Sequence, residues 1–85
     1  MKPRKILEKV LSGSRSISFK DYCKLILAFG FELSRIRGSH HIYTHPDIPE
    51  LVNIQDVDGK AKPYQIRQFL KLVEEYNIPL GDDAS

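Results

Sequence analysis

The sequence predicts a two-layer α+β domain, a three-stranded antiparallel meander with helices on one face, in the order α-α-β-β-β-α. Three observations carry that expectation. Two segments, 19–29 and 66–76, repeat apolar residues at helical spacing. Between them lie three strand-like runs separated by turn-forming residues. The 85 residues suffice for one hydrophobic core and leave no room for a second.

The elements follow in order. Ile6, Leu7, Val10 and Leu11 recur at helical spacing over 4–11, with Pro3 suited to the first helical position and Gly13 to the stop. Ser12 to Ser16 reads as a loop, making 1–17 a helical extension of a core spanning 18–80. Ser18 is placed to cap a second helix, and Asp21 puts negative charge where the helix dipole favours it. Phe19, Tyr22, Cys23, Ile26 and Phe29 form its apolar stripe, and Gly30 ends it. Strands are expected over 31–37, 40–45 and 51–56. Gly38-Ser39 signals a tight hairpin, and Pro46 to Pro49 a longer turn. Asp58 to Lys62 reads as a loop into a last helix from Pro63, with Ile66, Phe69, Leu70, Val73 and Tyr76 as its stripe. Residues 81–85 are expected to fray. One sheet face is covered by helices and the other is left to solvent or a ligand.

Composition narrows the function. At 41% hydrophobic and 28% charged the chain should fold, and a net charge of +2 permits nucleic-acid binding without demonstrating it. The lone cysteine, Cys23, rules out an internal disulfide framework and fits a reducing cytosol. No apolar run is long enough for a membrane span, and the N-terminus lacks the marks of a signal peptide, so a cytoplasmic domain is expected.

The chemistry concentrates in 35–46, Arg-Ile-Arg-Gly-Ser-His-His-Ile-Tyr-Thr-His-Pro, which holds all three histidines. In a regular strand His40 and His45 point to opposite faces, while His41 and His45 lie roughly 13 Å apart along one face. Zinc needs its ligands within about 2.1 Å of one ion, so neither a metal site nor any other cofactor is expected. Cys23 on an apolar helix stripe reads as an inert thiol, and Ser39 beside His40 lacks a third orienting group. General acid–base chemistry on RNA remains. A histidine can move a proton near neutral pH, and guanidiniums grip phosphate oxygens through a planar fork. Cleavage by transesterification needs no metal-generated nucleophile, because the ribose 2′-OH is already in the substrate. On this reading His40 handles the proton, Arg35 and Arg37 hold phosphate, and the backbone around Gly38 and Ser39 forms a shallow anion nest. His41 and Tyr43 share a strand face and either cover apolar surface or stack on a base. Ile42, Val52 and Ile54 are expected in the core. His45 reads as a bystander.

Phe29-Gly30-Phe31, the run Arg37-Gly38-Ser39-His40-His41-Ile42-Tyr43, and His45-Pro46 together resemble the HicA-type toxins of bacterial toxin–antitoxin systems. The resemblance runs from about Phe19 to Leu80 and is strongest from Phe29 to Ile54. It implies a fold like the double-stranded-RNA-binding domain and a metal-independent mRNA endoribonuclease with a single catalytic histidine, His40. Its partners would be mRNA and a HicB-type antitoxin covering the catalytic face. Where many relatives carry a basic segment after the third strand, this chain has Asp56-Val57-Asp58, leaving Lys60 and Lys62 as a secondary grip on RNA. The alternative is a non-catalytic module binding RNA or a protein partner with the same sheet.

Overall fold

Helix α1 (Pro3–Leu11) starts on Pro3, whose missing N–H costs nothing in a first turn, and buries Ile6 and Val10. The computed structural model describes residues 1–14 and 17–81. Arg15 and Ser16 of the expected loop and 82–85 of the expected frayed tail lie outside the described residues. Helix α2 (Phe19–Ala28) is capped as expected: the Asp21 N–H donates to Ser18 Oγ at 3.1 Å. Helix α3 (Pro63–Glu75) again begins on a proline.

Between α2 and α3 run β1 (Glu32–Arg37), β2 (His40–His45), β3 (Ile48–Val57) and β4 (Lys60–Ala61). They form one antiparallel sheet in the order β1-β2-β3-β4. The expected three-stranded meander is therefore corrected to four strands. The cause is Asp58-Gly59, which reads as loop but builds a two-residue hairpin. Both residues have positive φ, +53° and +80°, the type I′ geometry whose twist matches that of the flanking strands. Asp56 Oδ1 accepts from the Gly59 N–H at 2.7 Å and secures the turn. The hairpin also anchors α2, because the Phe19 N–H donates to the Gly59 carbonyl at 2.8 Å. No atom of the described residues lies within 4 Å of a Cβ placed on Gly59, so Gly59→Ala meets only the backbone penalty. A loss of about 1–2 kcal/mol is expected, read as a lower denaturation midpoint. An unchanged midpoint would contradict the turn assignment.

Strand β3 is longer than expected, because His45 pairs with Ile48 and leaves Pro46-Asp47 as a two-residue turn. Pro49 is tolerated there because β4 reaches only Asp56 and Val57, so the far side of β3 at Pro49 has no ladder to break. Further along, the Gln55 N–H donates instead to Oε1 of the buried Gln65 at 2.8 Å, tying β3 to α3.

The core lies between the sheet and all three helices. Ile6 and Val10 of α1 join Tyr22, Leu25 and Ile26 of α2, Tyr43, Val52 and Ile54 of the sheet, and Ile66 and Phe69 of α3. Phe69 is its hub, with ring centroids 5.8 Å from Tyr22, 5.6 Å from Phe29 and 5.3 Å from Phe31. Val52 and Ile54 are core residues as expected. Ile42 is buried too, at 8% exposure, but on the opposite sheet face and outside the core cluster.

Candidate active site

Strand alternation and register sort the side chains. Cross-strand partners share a face, and Tyr43, Val52, Ile54 and Ala61 mark the helix-covered one. The open face then carries two rows: Arg37, His40 and Gln55, and beside them Arg35, Ile42 and Asn53. Without an irregularity, Leu33, Arg35 and Arg37 would share one face. A bulge between Leu33 and Arg35 inserts one extra residue. It sends Leu33 and Ile36 to the helix side and keeps Arg35 and Arg37 together on the open side. Leu33 and Ile36 remain 44% and 53% exposed there, because β1 is an edge strand that overhangs the helices.

The rim is built by the Gly38-Ser39 turn. Gly38 has φ +59° and Ser39 does not share the positive sign, as in a type II′ hairpin with glycine at its first central position. The turn is braced against β3, where the Asp56 N–H donates to the Ser39 carbonyl at 2.9 Å and Gln55 Nε2 to Ser39 Oγ at 3.4 Å. His40, the next residue, is half-buried, and its Nδ1 lies 3.0 Å from Asn53 Oδ1. Arg35 and Arg37 are exposed beside it.

Lys60 reaches the same face. Its neighbour Ala61 is buried on the helix side, so Lys60 points with Val57 to the open side, about 12 Å from His40 by strand spacing and rise. Lys62 precedes α3 and sets its ammonium 5.8 Å from the Tyr64 ring centroid. Of the nearby carboxylates, Asp58 is exposed in the β3–β4 turn beside Lys60, while Asp56 and Glu50 are turned away. Asp56 shares the helix-side face of Ala61 and holds the Gly59 N–H, while Glu50 accepts from the Tyr76 hydroxyl at 2.8 Å. Glu32 pairs with Thr44 at the far end of β1 from the hairpin.

His41 and Tyr43 do not join this set. Both face the helices, where they line a groove of about 490 Å³ with Phe19, Lys20, Cys23 and Leu33. The His41 ring meets Phe19 edge-on at 4.7 Å, and its Nδ1 is buried without a hydrogen-bond partner among the described residues. Tyr43 is 2% exposed, which leaves no ring face for a base. Burial, then its bond to the Cys23 thiol, pushes its phenol well above the ordinary range. Burial raises the Cys23 thiol as well, an effect the Tyr43 hydrogen bond only partly offsets. Less thiolate is then present at a given pH, so alkylation of Cys23 near pH 8 should be slower than that of a free cysteine and still rise where the free thiol levels off. A rate matching free cysteine would contradict this.

His45 is more than a bystander. Its Nδ1 accepts the Asp47 N–H at 3.0 Å, its ring packs 4.9 Å from Phe31, and a Cβ on Gly30 would meet its Nε2 at 3.3 Å. It braces the turn into β3 at the opposite end of β2 from His40. Among the described residues no group of three or more His, Cys, Asp or Glu side chains is placed to hold a metal ion. No helix among them is long and apolar enough to cross a membrane.

The model of the HicA toxin family of bacterial toxin–antitoxin systems matches residues 19–74, more than half of the chain. The chain belongs to the HicA toxin family. No curated protein and no solved structure matches it. Within this HicA chain the match starts at the first residue of α2, takes in the whole sheet and stops one residue short of the end of α3. Helix α1 lies outside it, although Ile6 and Val10 belong to the same core. Membership makes the chain the toxin side of a toxin–antitoxin pair, with an antitoxin as its partner.

Asn53 and Gln55 escaped the sequence reading. Their signal was available: two amides alternating with Val52 and Ile54 must face away from the core, on the strand beside the histidine hairpin.

Proposed function

We propose that this HicA chain is a metal-independent mRNA endoribonuclease of a HicA/HicB-type pair, acting in the cytoplasm with His40 as general acid or base. The observation that carries the reading is the open face itself. It holds one histidine fixed at Nδ1, with Arg37 in its row and Arg35 in the next, while Asp56, Glu50 and Glu32 are turned away or distant. That potential attracts a phosphodiester backbone. The order of one helix, the strands and a second helix over 19–75 supports kinship with the double-stranded-RNA-binding fold, with β4 as a short addition.

As base, neutral His40 takes the 2′-OH proton at Nε2 while the 2′-oxygen attacks the adjacent phosphorus. Arg35 and Arg37 hold the non-bridging oxygens of the phosphorane. The P–O5′ bond then breaks, giving a 2′,3′-cyclic phosphate and a 5′-hydroxyl end. The face offers no second histidine, and Tyr43 is buried on the far side, so the proton on the leaving oxygen comes from solvent or from Lys60. Gly38 and Ser39 supply backbone N–H groups at the rim, and a HicB-type antitoxin silences the enzyme by covering this face. His41, Tyr43 and Lys62 have packing roles on this reading. Incubating the purified chain with a transcript and excess chelator tests it. Undiminished cleavage is expected, and cleavage that stops with chelator and returns with a divalent cation overturns the metal-free mechanism.

A further inference from the structure

We infer that Asn53 is the positioning residue of His40, fixing which imidazole nitrogen faces the substrate. Asn53 Oδ1 is a carbonyl oxygen, which only accepts, so the imidazole proton it holds at 3.0 Å sits on Nδ1. Neutral His40 therefore presents an unprotonated Nε2, the state a general base requires. A solvated histidine with no such partner favours the opposite tautomer.

The placement of Asn53 is secured by residues that are not at the site. Val52 and Ile54 on either side are buried in the core and lock the register of β3. Asn53 pairs directly with Ile42, while His40 pairs with Gln55, so the contact runs diagonally between strands. Such diagonal neighbours lie about 7–8 Å apart at the backbone, within reach of an imidazole and an amide leaning toward one another. Gln55, the direct partner, instead turns its amide to Ser39 Oγ. The two amides thus divide the work: one braces the turn, the other orients the histidine.

An amide at position 53 also places no charge beside the imidazole. The charged groups nearest it are Arg37 of β1 in its own row, Arg35 in the adjacent row and Lys60 of β4, with Asp58 in the β3–β4 turn and Glu32 at the far end of β1. The helices pack on the opposite face. A carboxylate at 53 would accept the same Nδ1 proton but stabilise imidazolium, raising the pKa of His40.

This rests on the reading of His40 as the proton carrier, and the test separates the two. Imidazole nitrogen chemical shifts, recorded against pH in the free protein, report tautomer and pKa without RNA. The wild type is expected as the Nδ1–H form above its pKa. Asn53→Ala should shift the population several-fold toward Nε2–H. Asn53→Asp should keep Nδ1–H and raise the His40 pKa by about one unit. On RNA, Asn53→Ala should lower kcat about tenfold with KM unchanged, and Asn53→Asp should move the pH–rate midpoint upward with the pKa. An Nε2–H wild type, or an unchanged tautomer ratio in Asn53→Ala, overturns the inference even if RNA is cleaved. The expected tautomers in a protein that never cleaves RNA uphold Asn53 and overturn the ribonuclease reading.

Discussion

His40→Ala should reduce RNA cleavage by about 10²–10⁴-fold, the usual loss when a positioned acid or base is removed, and should abolish growth arrest on induced expression. The fold should survive. His40 occupies the first position of β2 on the open face, its side-chain hydrogen bond is to the exposed Asn53, and it belongs to no part of the core. An unchanged melting temperature with lost cleavage therefore separates chemistry from stability. Arg37→Ala should behave differently, weakening RNA binding most at low salt and flattening its salt dependence, because a phosphate contact is lost. Cleavage by His40→Ala equal to that of the wild type would contradict the assignment.

Phe69→Ala should have the largest effect on the fold, costing about 3–5 kcal/mol. Phe69 is 1% exposed and is the only ring that meets Tyr22 of α2, Phe29 at its end and Phe31 before β1 among the aromatic contacts of the described residues. Its removal opens a cavity where α2, α3 and the sheet converge. A domain of this size loses roughly 4–8 °C in melting temperature per kcal/mol, so a drop of about 12 °C or more is expected in calorimetry. Leu27→Ala, on the exposed side of α2, should stay within about 0.5 kcal/mol of the wild type. Similar losses in both variants would contradict the placement of the core.

Much of this was legible in the residues. The helix stripes, the Ser18 cap, the prolines opening α1 and α3, and the Gly38-Ser39 hairpin each rest on a local rule that tertiary packing did not override. The missed β4 had a local signal as well. Asp-Gly is a strong two-residue hairpin pair, but only two residues follow before Lys62 and Pro63, and so short a strand has no periodicity of its own. The face of Arg35 was harder to read. Its side depends on the bulge at Ser34, whose trace in the sequence is the three-residue spacing of Leu33 and Ile36 where a regular strand has two. His41, Tyr43 and His45 show the limit of alternation. It tells that His41 and Tyr43 share a face, but only the helices decide that this face is buried. The bracing by His45 involves Gly30, Phe31 and Asp47, which strand periodicity does not bring together. The His40–Asn53 contact needed the register of β2 against β3, and that follows from the whole sheet.

On the proposed mechanism the nucleophile is the ribose 2′-OH, activated by His40. End-group analysis of the RNA products tests it most directly. The wild-type chain, in excess chelator, should leave 2′,3′-cyclic phosphate and 5′-hydroxyl ends, and a substrate with 2′-deoxyribose at the cleavage position should stay whole. Products with 5′-phosphate ends, or cleavage of the deoxy-substituted substrate, would contradict the account.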